Sequence, residues 1–168
     1  MALDATTGAE RIRIDTASMS LGTSRTHIGF TCGHKVVMID RASWTKKEID
    51  LGASVAYLAM NDTFFVAVGR DRKAFCFRLA GGAFAEHARW ETPPDVAFVR
   101  IHPTRAIVAT GHRDDSVALW MPSAQRPVFT FDDAKRASFH SDGRHFIVAA
   151  AGDRDRVELF DLSFRAPD

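Results

Sequence analysis

Four short stretches of this chain set arginine, aspartate and histidine between apolar runs: Gly33-His34, Arg70-Asp71-Arg72, His112-Arg113-Asp114-Asp115 and Asp153-Arg154-Asp155-Arg156. The guanidinium is a planar fork that pairs with carboxylates and stacks on aromatic rings, so arginine is favoured at recognition surfaces. The candidate partner-binding residues are therefore His34, Arg70, Arg72, His112, Arg113, Asp114, Arg154 and Arg156. The opposing reading is a solvated surface whose alternating charges satisfy one another. His112 with Asp114 and Asp115 is the best of the cation-binding candidates, since both residue types ligate metals. Adjacent aspartates in a hairpin loop more often bond their own backbone and shape the turn, and no metal is assigned. His102 and His140 fall at equivalent turns and His145 just past one, which reads as turn capping or packing.

Catalytic signatures are missing from the sequence. It contains no phosphate-binding loop, no His-Glu-x-x-His, no Gly-x-Ser-x-Gly and no Cys-x-x-Cys. The expectation is a protein that is not an enzyme and needs no cofactor. The charge balance of 22 Lys+Arg against 21 Asp+Glu argues against broad capture of nucleic acid or an anionic membrane. No run approaches the ~18 apolar residues of a membrane span, and Met1 to Ile14 does not read as a secretory leader. Cys32 and Cys76 each fall within a strand pattern, where a lone thiol behaves as a small hydrophobe. A reducing cytoplasm is the expected compartment.

The elements that must carry these loops repeat. Five apolar segments end at Leu3, Ile39, Phe77, Trp120 and Phe160, at steps of 36, 38, 43 and 40 residues. Periods of roughly 40–45 residues match a four-stranded propeller blade. The fold expected is all-β, built of blades of four antiparallel strands at 17–52, 53–92 and 93–133. An incomplete blade follows at 134–168, and residues 1–16 supply the outer strands of a split first blade. In the clearest unit the strands are Val96–Ile101, Ala106–Gly111, Ser116–Trp120 and Val128–Phe131. The second strands, such as Phe64-Phe65-Val66-Ala67-Val68, are apolar without alternation and so must be buried on both faces. The outer Thr45–Leu51 is mostly polar, as a solvent-side edge should be. Trp44 and Trp90 are expected to pack at blade edges.

From Val96 to Trp120 and from Ala137 to Asp161 the chain resembles WD-repeat propellers. The shared pattern is an apolar strand, a His-Pro or Ser-Asp-Gly turn, a strand of small residues, an acidic loop and an apolar strand closing on an aromatic. Phe160-Asp161 stands where the family's Trp-Asp pair would stand, and Trp120-Met121 keeps the Trp. The Gly-His pair that opens many such repeats is not found ahead of these blades, since Gly33-His34 and Gly111-His112 fall in hairpin loops. The blades are expected to rely on apolar stacking. Ala2-Leu3-Asp4-Ala5-Thr6-Thr7-Gly8 is locally similar to quinoprotein-type propeller repeats.

About four blades fall short of the roughly 280 residues of a seven-bladed ring. The expectation is an incomplete ring or part of a seven-bladed one, completed by remaining blades or by pairing with a second copy or another chain; the alternative is a small irregular ring closed by overlapping termini. The function expected is a protein–protein interaction scaffold. The alternative is a ligand-, metal- or quinone-cofactor-binding propeller with catalytic activity.

Overall fold

A computed structural model describes residues 2–3, 10–12, 20–80, 82–150 and 156–162. Among the described residues seventeen strands form five antiparallel sheets, each a simple meander in sequence order. A two-stranded sheet pairs β1 (Ala2–Leu3) with β2 (Glu10–Ile12). The first full blade is β3 (Leu21–Thr23), β4 (His27–Cys32), β5 (Lys35–Asp40) and β6 (Lys46–Asp50). The second is β7 (Val55–Met60), β8 (Phe64–Gly69), β9 (Lys73–Ala80) and β10 (Ala83–Glu91). The third is β11 (Val96–Ile101), β12 (Val108–His112), β13 (Val117–Met121) and β14 (Arg126–Phe131). The fourth has three strands among the described residues: β15 (Ala134–Phe139), β16 (His145–Ala150) and β17 (Val157–Asp161). No helix among the described residues is long and apolar enough to cross a membrane.

Alternating side chains send each central strand into two cores at once. Phe65, Ala67, Phe75 and Phe77 of the second blade pack with Val36 and Met38 of the first. Their neighbours Val66, Val68, Ala74 and Cys76 pack with Val99, Val108, Ala118 and Trp120 of the third. On the third blade's other face, Ala109, Val117 and Leu119 meet Ala137, Phe146 and Val148 of the fourth. This is the environment that the unbroken apolar runs require. Burial on both faces leaves Val66, Ala67 and Val68 with no accessible surface. The outer β6 is exposed except at Ile49.

Trp90 is 4% exposed and lies within the second core, its ring 5.9 Å from that of Trp120, so it packs between blades rather than at an edge. Trp44 is half-buried against Phe30, Val37 and Ile39. The structure also carries β12 one residue further than expected. His112, expected in a polar loop, ends that strand at 5% exposure because its ring finds partners inside the blade.

Polar latches join successive blades at the turns between first and second strands. The Arg25 amide donates to Asp62 Oδ1 at 2.7 Å, and the Arg25 guanidinium pairs with the same carboxylate. Asn61 accepts the amides of Thr63 and Phe64 at 2.8 and 2.7 Å, while its Nδ2 donates to the His102 carbonyl at 2.8 Å. His102 repeats this one blade on. Its Nδ1 accepts the Thr104 and Arg105 amides at 3.1 Å, and its Nε2 donates to the Gly143 carbonyl at 2.8 Å. One neutral tautomer satisfies all three bonds.

Burial pushes the titration of both His102 and His112 below the ordinary imidazole value. A base whose folded pKa is depressed contributes stability that is complete above the unfolded value of ~6.5 and lost as pH falls through the folded one. The melting temperature should therefore decline on acidification from pH 7 toward 5. Glu48, held at about 2 by hydrogen bonds from Lys46 and Lys35, titrates below that window. His102→Asn keeps an acceptor for the turn and a donor for Gly143, as Asn61 does, and should blunt the decline. An equal slope in wild type and variant, followed by circular dichroism, would show that His102 does not carry it.

Candidate functional site

The loops between second and third strands lie at one end of the sheets and are pinned by backbone bonds to the connections between blades. Thr92 donates both its amide and its hydroxyl to the Arg72 carbonyl, at 2.8 and 3.1 Å, and Arg72 Nε returns a bond to Thr92 O at 3.1 Å. The Arg113 amide donates to Asp95 O at 3.0 Å. Arg72, Asp95 and Asp115 hold left-handed backbone conformations with φ of 70°, 56° and 60°. Such conformations persist where the surrounding bonds fix them.

Arg70, Arg72 and Arg113 converge on one cleft of about 330 Å³, whose wall includes Tyr57, Pro93 and Asp95. Arg113 also borders a larger cleft of about 680 Å³ between the third and fourth blades. Arg100, Lys135, Arg136 and Asp115 share that wall, and Phe98 and Ile147 supply apolar surface. Arg100 donates to the Val99 carbonyl at 2.9 Å and stands 5.4 Å over the Phe98 ring. The aspartates of the rim serve their own turns. Asp114 Oδ1 accepts the Ser116 hydroxyl at 2.7 Å and the Ser116 amide at 3.1 Å, bonds that hold its carboxyl below the usual range. Asp71 pairs with Lys73 at 3.2 Å. Among the described residues neither Arg113 nor Arg136 forms an ion pair.

The remaining sequence candidates divide. His34 is exposed and lies 3.3 Å from the Asp50 carboxylate, and Arg156 pairs with Glu158, so both have partners within their own blades. Arg154 lies outside the described residues. His112 borders the larger cleft beside Arg113 but is only 5% exposed, with its ring nitrogens bonded inside the blade. Trp120 Nε1 donates to Thr110 Oγ1 at 2.7 Å, the Thr110 hydroxyl lies 3.0 Å from His112 Nε2, and His112 Nδ1 donates to Pro94 O at 3.2 Å. This buried relay uses both ring nitrogens and leaves none for a cation shared with Asp114. It also gives the third blade an internal hydrogen-bond network where apolar stacking alone was expected. Arg100, Lys135 and Arg136 escaped the sequence reading because they sit on first strands rather than loops. For Arg100 a cation on the otherwise apolar Val96–Ile101 was the available signal, whereas β15, with Lys135, Arg136 and Ser138, offers no such contrast.

No protein-family model matches the sequence, and no curated protein does. Solved structures do match. Hsv2 from Kluyveromyces lactis superposes with a TM-score of 0.68 at 18% identity, over 89% of this chain and 50% of that one. Hsv2 from Kluyveromyces marxianus gives 0.67 at 16% identity, over 92% and 52%. The fold is a β-propeller, seen in part. Identity this low shows the fold alone, and the chain spans about half the length of either Hsv2.

The relay predicts a mutational effect. Thr110→Val keeps the side-chain volume but leaves the Trp120 indole N–H without its acceptor in a dry site. The expected cost is ~1–3 kcal/mol, read as a lower midpoint in urea unfolding. A midpoint equal to wild type would show that the indole does not depend on that hydroxyl.

Proposed function

We propose that the chain is a non-enzymatic binding scaffold whose rim receives an acidic segment of a protein partner. One observation carries this reading: Arg100, Arg113, Lys135 and Arg136 line a single cleft against one carboxylate, Asp115. The cleft is open and partly apolar, with Phe98 and Ile147 in its wall. A peptide bearing carboxylates and an apolar side chain is complementary to it. Anchoring the loops to the connections between blades lowers the entropy lost on binding.

The last sheet supports a second element of the same reading. Val157 and Leu159 of β17 are 66% and 64% exposed, whereas the equivalent third strands β5, β9 and β13 are largely buried between sheets. A further unit, either remaining blades of a larger propeller or a second copy, would cover them. Cys32 and Cys76 form no disulfide, which fits a reducing compartment such as the cytoplasm.

The reading is tested with immobilised Asp/Glu-rich peptides that carry one or two aromatic residues. Arg113→Glu combined with Arg136→Glu should weaken binding by more than tenfold and flatten its salt dependence, with an unchanged melting curve. Unchanged peptide affinity in the double variant would remove the cleft from consideration. Equal retention of single-stranded oligonucleotides would instead point to polyanion binding without protein specificity.

A further inference from the structure

The turn between β15 and β16 differs from its equivalents in a way that capping does not explain. His140 occupies the position of His102, and its Nδ1 lies 3.3 Å from the Asp142 amide that it caps. The third blade has Thr104 and Ile107 where this blade has Asp142 and His145. Asp142 Oδ2 lies 3.0 Å from His140 Nδ1 and 2.6 Å from His145 Nδ1. Three potential ligand atoms therefore lie within 4.8 Å of one another.

Asp142 Oδ2 is within hydrogen-bond distance of both imidazole Nδ1 atoms. Each Nδ1 can donate a proton to that oxygen or, once the proton is released, share a cation with it; at His140 the cation would replace the longer 3.3 Å contact with the Asp142 amide. The remaining carboxylate oxygen is already held: Asp142 Oδ1 accepts the Arg144 amide at 2.8 Å and the His145 amide at 3.2 Å. This fixes the carboxylate plane and turns Oδ2 toward the imidazoles, as partners outside a coordination sphere do for ligating carboxylates. The loop is braced from behind as well, since His102 Nε2 donates to Gly143 O at 2.8 Å.

We propose that His140, Asp142 and His145 form a binding site for Zn²⁺ or a similar divalent transition metal. Two imidazole nitrogens and one carboxylate oxygen are ligands that zinc accepts, and three protein ligands leave a fourth position open. Nitrogen-rich donors disfavour Ca²⁺ and Mg²⁺, which take oxygen. The site lies on the turns between first and second strands, at the opposite end of the sheets from the arginine clefts, and it does not depend on the acidic-partner reading.

The test is titration of the complete chain with ZnCl₂ by calorimetry. One equivalent should bind to wild type and to the control His87→Gln. Affinity should fall by more than about tenfold in His145→Gln and in Asp142→Asn, which retains the amide-accepting Oδ1. Wild-type protein loaded with Co²⁺ should show the visible bands of a four-coordinate site, a readout that needs no variant to fold. No saturable Zn²⁺ uptake, or equal affinity in wild type and His145→Gln, would overturn the assignment. A Co²⁺ spectrum unchanged from that of the hydrated ion would do the same.

Discussion

Every other feature of this molecule depends on the need of its central strands for apolar cover on two sides. A sheet with one wet face satisfies itself by folding onto a single layer. Phe64–Gly69 cannot, because Phe65 and Ala67 project to one side and Val66 and Val68 to the other, all fully buried. The same holds for Val108–His112, so each blade needs a neighbour on either hand and no single sheet is a stable unit. Burying one such side chain is worth roughly 1.5–3 kcal/mol. Three successive interfaces of this kind set the position of each blade relative to the next.

Where apolar stacking ends, directional bonds take over. Asn61 and His102 each close the turn of their own blade and donate to the turn of the blade that follows, Asn61 to the carbonyls of His102 and Arg105 and His102 to that of Gly143. Amide and imidazole perform the same task because both offer an acceptor and a donor about one ring-width apart. At the opposite end, backbone bonds from Thr92 and Arg113 tie the arginine loops to the connections between blades. The clefts are thus walled by elements that both cores and latches hold in place, and this fixes the spacing of Arg100, Arg113 and Arg136.

Much of the architecture can be read from the chain itself. Strand β11 coincides with the sequence reading residue for residue, because its β-branched and aromatic run is bounded by aspartate and proline. What escaped depends on contacts between residues distant in sequence. His112 looks like a loop residue beside Arg113 and Asp114, yet Pro94 and Thr110 draw it into the blade. Trp90 looks like an edge residue on a strand of mixed polarity, and only the approach of the third blade buries it beside Trp120. The cluster at His140 was legible as composition but not as geometry. Repeat position accounts for His140, whereas the aim of Asp142 Oδ2 follows from backbone amides that no spacing rule reveals.

Native-state hydrogen exchange resolved by strand tests the stacking account most directly, because protection follows burial between cooperative layers. The amides of β8 and β12, paired on both edges and covered on both faces, should exchange slowest and together. Those of the outer β6 and β14 should exchange earlier by local opening. Comparable protection in outer and central strands, or independent early exchange of β8 and β12, would contradict face-to-face blades as the source of the fold's stability.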